Sequence, residues 1–132
     1  MNPAAAAARL GISRIGQIDI NVHDLDRATA FYRDTLGLPF LFSAGNLTFF
    51  DCRGVRLMLS RPERPDLDHP SSILYFVVPD IKAAHRQLLD QGVKFEGEPQ
   101  LIAKMPDHDL WLVGFRDSEQ NILELMSEVP RA

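Results

Sequence analysis

Residues 15–38 read IGQIDINVHDLDRATAFYRDTLGL, and this stretch contains a strand, a helix start, a helix and a helix stop in that order. Isoleucine and valine alternate with polar residues over 17–22, which is the pattern of a strand with one buried face. Asp24 follows as a helix N-cap, and Gly37 suits the left-handed residue that ends a helix. The stretch therefore predicts a strand and a helix that pack their apolar faces together.

Residues 73–92, ILYFVVPDIKAAHRQLLDQG, repeat that order. Asp80 takes the place of the first N-cap, and Gly92 takes the place of the first helix stop. In each copy, further short strands and a hairpin follow the helix. A repeat of this length indicates two copies of one supersecondary unit. A parallel βαβ stack is disfavoured, because three closely spaced strands after a single helix suit antiparallel hairpins.

The repeat predicts an α+β fold of two βαβββ modules, whose curved mixed sheets enclose a shared cavity. The predicted organisation is an N-terminal tail (1–13), a first module (14–60), a proline-rich linker (61–72), a second module (73–128) and a C-terminal tail (129–132). Residues 93–95 are predicted to begin a strand, and a polar loop is predicted between them and a last hairpin at 110–126. In the second helix, Leu89 is predicted to be buried and His85 to be solvated.

The composition is that of an ordinary globular domain, with 45% hydrophobic and 24% charged residues in a chain of 132. The net charge of -4 disfavours binding to nucleic acid or to an anionic membrane. No apolar run approaches the ~20 residues that a bilayer-spanning helix needs. Cys52 is the single cysteine, which excludes an intrachain disulfide and fits a cytoplasmic location. The sequence therefore predicts a cytoplasmic protein without nucleic-acid or membrane partners.

Alternation along the strands also predicts which side chains face the cavity. If the apolar rows cover the helices, the other rows point inward. These inward residues are Gln17, Asp19, Asn21, Arg56, Met58 and Ser60 from the first module and Ile73, Tyr75, Val77, Ile122, Glu124 and Met126 from the second. Such a mixture of polar and apolar groups suits a small organic ligand with a polar end. The sequence leaves open the charge of that ligand, and whether the cavity forms within one chain or between two chains.

Three features resemble the vicinal oxygen chelate superfamily, which contains glyoxalase I, bleomycin-resistance and fosfomycin-resistance proteins, extradiol dioxygenases and methylmalonyl-CoA epimerase. They are the repeat itself, the segment DLDRATAFYRDTLGL (24–38) and the segment FRDSEQNILEL (115–125). The resemblance implies two βαβββ modules, a small-molecule ligand and a homodimer. One departure is the turn at 117–121, where DSEQN replaces the family's usual DPDGN.

The resemblance also implies four metal-ligand positions, two from each module. Carried over to this sequence, they are Gln17, Met58, Ile73 and Glu124. Only Glu124 matches the family's usual ligand types, because methionine is a poor ligand for a hard cation and isoleucine is no ligand at all. A divalent metal is therefore disfavoured, and no other cofactor is expected.

Glu124 is the candidate catalytic residue, since desolvation in a partly apolar cavity would raise the pKa of its carboxyl toward that of a general base. The alternative is that Glu124 pairs with Arg56 across the cavity. Tyr75 and Trp111 are predicted to form an aromatic wall of the ligand pocket. His108, which precedes the last hairpin, is the histidine included in the predicted pocket.

Three functions are consistent with this pattern. The first is a glyoxalase/bleomycin-resistance-like protein that binds a small organic molecule between its modules without the family's metal. The second is a metal-assisted lyase, isomerase or dioxygenase with Glu124 as base or ligand. The third is a protein that sequesters a drug or metabolite. Whether the protein is an enzyme is left undecided by its sequence.

Overall fold

The structure of the protein is a computed structural model that describes residues 10–131. Most of the predicted N-terminal tail, and the last residue of the predicted C-terminal tail, lie outside the described residues. Within the described residues, the chain forms two four-stranded sheets, each with a helix beside it.

The two sheets have the same topology. The first module contains β1 (Gln17–Asn21), β2 (Phe40–Ala44), β3 (Leu47–Cys52) and β4 (Val55–Ser60). Their order is β1-β4-β3-β2, with β1 parallel to β4 and the other pairs antiparallel. The second module contains β5 (Leu74–Val77), β6 (Gln100–Lys104), β7 (His108–Arg116) and β8 (Ile122–Pro130). Its order, β5-β8-β7-β6 with β5 parallel to β8, confirms the predicted α+β fold of two βαβββ modules.

Each module has one helix between its first and second strands. These are α1 (Leu25–Ala30), which continues into a wider π-type turn at Phe31–Thr35, and α2 (Ile81–Asp90). Asp24 accepts from the backbone N–H of Arg27 at 3.0 Å, and Asp80 accepts from that of Ala83 at 3.1 Å. Both predicted N-caps are therefore confirmed. Neither of these helices, nor any other within the described residues, is long and apolar enough to cross a membrane.

Both modules contribute to one hydrophobic core. Its fully buried members include Ile20, Tyr32, Phe50 and Leu57 from the first module and Val113, Phe115, Leu123 and Leu125 from the second. Because these residues form a single cluster, the modules pack against each other on their helix sides. The face of each sheet that points away from its helix is called its open face below.

Three strand assignments in the second module differ from the prediction. β6 lies within the predicted polar loop, and residues 93–95 contribute a single bridge between Phe95 and Phe115 rather than a strand. β6 is an edge strand paired with β7 alone, so its sequence lacks the apolar alternation of a half-buried strand. β8 also continues to Pro130, past the predicted module end.

The buried face of α2 also differs from the prediction. His85 is buried, with its ring packed edge-on against Phe95 at a centroid distance of 4.5 Å, whereas Leu89 is 46% exposed. Ile81, His85 and Leu88 recur at the i, i+4, i+7 spacing of one helix face, and Leu89 lies one position past it. The imidazole can occupy this buried position because its aromatic ring packs against Phe95 as a hydrophobic ring does.

Candidate functional site

The open face of the first sheet carries the pocket residues predicted for the first module. Arg56 Nε donates to Gln17 Oε1 at 2.7 Å, and Gln17 Nε2 lies 3.5 Å from Met58 Sδ. Asp19 accepts from Ser60 Oγ at 2.6 Å on the same face. The structure therefore brings Gln17, Arg56 and Met58 into direct contact, with Asp19 on the same row of β1.

Two aromatic residues, neither of which was predicted from the sequence, extend this face. The Arg56 guanidinium lies 5.2 Å from the centroid of the Phe49 ring, within the range of a cation–π interaction. Phe49 in turn stacks on Phe42, with 4.4 Å between the ring centroids. The pairing of β3 with β4 was the missing signal, since Phe49 lies directly opposite Met58.

Glu124 lies on the open face of the second sheet, opposite Tyr75 on β5 and Gly114 on β7. A Cβ atom at Gly114 would come within 2.7 Å of Glu124 Oε2, so the glycine provides the space that the carboxyl occupies. Burial raises the pKa of Glu124, and the nearby carboxylate of Glu96 raises it further. A raised pKa is the direction that a general base needs.

The two open faces are separate within one chain. The Arg56 guanidinium donates to Gln17, and no hydrogen bond or ion pair among the described residues joins it to Glu124. Ile73, beside Glu124 at the edge of its sheet, is 47% exposed. The four positions singled out by the resemblance therefore fall into two pairs on different sheets, Gln17 with Met58 on the first and Ile73 with Glu124 on the second.

Trp111 lies on the helix side of the second sheet and not on its open face. It alternates along β7 with Leu112, which lies opposite Met126 on the open face. The ammonium of Lys82 on α2 covers the indole, with Nζ at 4.9 Å from the ring centroid. Tyr75 is on the opposite face, so the predicted aromatic wall of Tyr75 and Trp111 is not formed.

His108 is on the open face of the second sheet, but at the far end of β7. Gly114 is six positions further along the strand, roughly 20 Å away at the rise of an extended chain. The His108 ring lies 2.7 Å from Asp107 through Nδ1 and 3.6 Å from Glu128 through Nε2. His108 is therefore outside the neighbourhood of Glu124.

A cavity of about 600 Å³ lies between the two modules. Its walls are the end of the first helix and the β3–β4 hairpin on one side, and β5, α2 and β8 on the other. The lining residues are Thr35, Leu36, Leu38, Pro39, Asp51, Cys52 and Arg53 from the first module and Tyr75, Phe76, Val77, Val78, Ala84, Gln87, Leu88 and Leu125 from the second. Most of these side chains are apolar. Of the side chains predicted to point inward, Tyr75 and Val77 line this cavity.

The module boundary is also bridged by residues 117–121, called the closing turn below. Tyr32 Oη on the first helix donates to Asp117 Oδ2 at 2.7 Å. Glu119 accepts from two backbone N–H groups at the start of α1, at 3.1 and 2.9 Å, and from Arg27 Nε at 2.7 Å. The closing turn therefore holds the second module against the first helix.

The fold and the sequence have counterparts among known proteins. Residues 14–125 match the family model of the Glyoxalase/Bleomycin resistance protein/Dioxygenase superfamily. The chain belongs to this superfamily. It is 28% identical to the uncharacterized protein YraH of Bacillus subtilis (strain 168), over 83% of this chain and 94% of YraH.

Two solved structures of similar fold carry functional descriptions. Lactoylglutathione lyase from Agrobacterium tumefaciens matches with a TM-score of 0.69 at 25% identity, covering 88% of this chain and 94% of the lyase. TnmS3, an antibiotic binding protein from Streptomyces sp. CB03234, matches with a TM-score of 0.69 at 21% identity, covering 89% of this chain and 97% of TnmS3. The chain therefore spans nearly the whole length of both.

In this superfamily member, the residues at the expected metal-ligand positions do not fit a metal ion. The amide oxygen of Gln17 already accepts a hydrogen bond from Arg56. Met58 offers only a thioether sulfur, and Ile73 has no atom that could bind a metal. Glu124 alone supplies an anionic oxygen, whereas catalytic zinc takes three protein ligands. No group of three or more His, Cys, Asp and Glu side chains in the described part of the chain is placed to hold a metal ion.

Proposed function

We propose that this superfamily member binds a small organic molecule in the cavity between its modules, without a metal ion at the superfamily positions. The cavity is the main support for this proposal, because its volume of about 600 Å³ falls within the range of small-molecule sites. Its apolar walls would bury the body of a ligand, and Thr35 and Gln87 offer hydrogen bonds to a polar group.

Two similar proteins support recognition of small molecules by this fold. One is described as an antibiotic binding protein and the other as a lactoylglutathione lyase. The same architecture thus supports a binding protein as well as an enzyme, and the residues of the individual chain decide between them. In this chain, the unsuitable metal-ligand positions favour binding.

Ala84→Leu is expected to weaken binding about tenfold, because Ala84 lines the cavity and a leucine there takes ligand space. Alanine and leucine are both good helix formers, so α2 is retained. The measurement is a thermal-shift screen of aromatic and aliphatic compounds, followed by calorimetry on the strongest binder. At 100 times its Kd, a ligand stabilises the wild-type protein by about 2.7 kcal/mol.

Ala83→Leu is the matched control for this variant, since Ala83 is on the same helix but does not line the cavity. It should keep the wild-type affinity. Equal loss of affinity in both variants would place the ligand elsewhere, and a screen without a single stabilising compound would contradict the proposed function.

We also infer that a second copy of the chain covers the open faces. Phe42, Ile73 and Ile122 on these faces are 45%, 47% and 37% exposed. Several exposed apolar side chains on one face, as Ile73, Tyr75 and Ile122 are on the second open face, mark an interaction surface, whereas a single one needs no explanation. A homodimer that joins the first open face of one copy to the second open face of the other would remove these side chains from water.

A second candidate function, an enzyme of the lyase or isomerase type, is favoured by Glu124. Its carboxyl has a raised pKa and lies on an open face beside Tyr75, so it can accept a proton from a bound substrate. Sequestration of a drug or metabolite is one form of the proposed binding function. The enzyme differs from a sequestering protein because it requires Glu124.

Glu124→Gln separates binding from catalysis. If the protein is a binder, the variant should hold the screened compound within about twofold of the wild-type affinity, because Glu124 does not line the cavity. If Glu124 is a general base, turnover should fall about a hundredfold or more. The compound is incubated with each protein and followed by proton NMR. Turnover by the wild type that Glu124→Gln abolishes would replace the binding proposal with the enzymatic one.

A further inference from the structure

The strand β5 presents a free backbone edge to the cavity. It lies at the edge of its sheet and pairs with β8 alone. The N–H of Val78, which follows the strand, donates to Met126 O at 2.9 Å and so points toward β8. Because backbone groups alternate in direction along a strand, the N–H and C=O groups of Tyr75 and Val77 point the other way. Both residues line the cavity.

The equivalent edge in the first module is already bonded. Asn21 lies three residues before the capping Asp24, as Val77 does before Asp80. The Asn21 N–H donates to Ser71 Oγ at 3.0 Å, and its C=O accepts from Asn121 Nδ2 at 3.0 Å. A linker residue and the closing turn therefore satisfy both outward groups of that edge.

No such partner reaches Val77. In the first module, the hairpin that corresponds to the closing turn is only the two residues Arg53 and Gly54. Among the described residues, no hydrogen bond is made to the outward N–H or C=O of Val77, and its side chain is 71% exposed. The repeat thus leaves one edge bonded and its counterpart open, and the open edge borders the cavity.

The wall opposite this edge is apolar. Leu36, Leu38 and Pro39 lie across the cavity from β5. The charged residues of the lining are Asp51 and Arg53, one of each sign, so the cavity carries no net charge to attract an ion. An unpaired strand edge beside apolar pockets is the arrangement that recognises extended peptide groups by adding a strand.

We propose that the ligand of this cavity is an uncharged, peptide-like molecule. Its amide group pairs in an extended conformation with the outward N–H and C=O of Val77, and its apolar substituents pack against the wall formed by Leu36, Leu38 and Pro39. The inference rests on the proposed function, because it names the class of molecule that the same cavity takes.

The test uses two blocked dipeptide probes, N-acetyl-leucyl-phenylalanine amide and the analogue in which an ester replaces the central amide. The ester keeps the shape and the apolar groups but lacks the N–H that pairs with a strand carbonyl. Calorimetry should show the amide binding about tenfold more tightly than the ester, since the ester loses the hydrogen bond to the strand carbonyl and its own carbonyl is a weaker acceptor. Equal affinities for the two probes would overturn the proposal.

Val77→Pro tests the protein side of the pair. Proline removes the outward N–H and is tolerated on an edge strand, whereas Val77→Ala keeps the N–H and removes the branched side chain. The amide probe should bind Val77→Pro about tenfold more weakly and Val77→Ala within about threefold of wild type. If Val77→Pro does not fold, the comparison of amide and ester on the wild-type protein decides the matter alone.

Two further outcomes are distinguishable. If neither probe binds while another screened compound does, the peptide-like class is wrong and the proposed function stands. If sedimentation shows a wild-type dimer that Val77→Pro dissociates, a second copy occupies this edge and the proposal is overturned.

Discussion

Asp117→Ala is expected to lower the free energy of unfolding by about 3–5 kcal/mol. Asp117 is 3% exposed, and its carboxylate accepts four hydrogen bonds. They come from Tyr32 Oη at 2.7 Å, from the backbone N–H groups of Glu119 and Asn121 at 2.8 Å each, and from Asn121 Nδ2 at 2.9 Å. Alanine would leave these donors without their acceptor. One of them, the Tyr32 hydroxyl, is buried inside the core.

Urea unfolding followed by circular dichroism measures this change. Asp51→Ala is the matched control, because Asp51 precedes the equivalent hairpin turn and makes a single exposed hydrogen bond to the Gly54 N–H at 3.3 Å. We expect the control to cost less than about 1 kcal/mol. A cost that small for Asp117→Ala would mean that the closing turn does not hold the modules together.

Tyr32→Phe measures how much of the stabilisation by Asp117 comes from its hydrogen bond to Tyr32. Phenylalanine keeps the ring that packs in the core and removes only the hydroxyl bonded to Asp117. The variant should cost about 1–2 kcal/mol, since the carboxylate keeps its other three donors. The contact between Tyr32 and Asp117 joins the first helix to the second module.

Much of the fold could be predicted from local sequence patterns. Asp24 and Asp80 were expected as N-caps from their positions alone, and both accept the hydrogen bond that defines a cap. The helix-ending Gly37 and Gly92 adopt φ of 76° and 84°, which other residues rarely take. These signals are local, since each depends on a few neighbouring residues.

The parts of the structure that were predicted wrongly lack such local signals. β6 (Gln100–Lys104) is an edge strand with little burial, so no alternation marks it. His85 is a polar residue by type but packs by its ring edge on Phe95, a contact that needs the second module to be folded. In both places, tertiary contacts decide the structure.

The candidate site was less predictable than the fold. Alternation assigns each side chain to a face, and Trp111 shares its face of β7 with the buried Val113 and Phe115, so alternation along this strand places it on the helix side. The cavity between the modules depends on how two repeats pack, and no pattern within either repeat encodes that. The superfamily positions Gln17 and Glu124 lie on the open faces, whereas the cavity borders β5.

Glu119→Gln is expected to lower the free energy of unfolding at pH 7 by about 2–3 kcal/mol. The Glu119 side chain is 2% exposed and accepts from the backbone N–H groups of His23 and Asp24, which the first helix leaves without intrahelical partners. Burial alone would raise the pKa of Glu119, but hydrogen bonds from Arg27, from these two N–H groups and from Ser118 outweigh it and lower the pKa to about 2.

The pH dependence shows whether the charge of Glu119 causes this stabilisation. A carboxyl whose pKa is lower in the folded state stabilises the protein above its unfolded pKa of 4.5, and the stabilisation is lost as the pH falls toward about 2. The difference in unfolding free energy between wild type and Glu119→Gln should therefore be full at pH 7 and shrink between pH 4.5 and pH 2. Urea unfolding at several pH values measures it.

Glu96→Gln serves as the control for Glu119→Gln. Glu96 bonds to Arg116 Nε at 2.6 Å, but its side chain is 51% exposed, so the loss of this ion pair should cost less than about 1 kcal/mol. If wild type and Glu119→Gln differ by the same amount at pH 3 and pH 7, the shape of the side chain rather than its charge holds the closing turn. The boundary between the modules, and with it the cavity, would then keep its stability in acid.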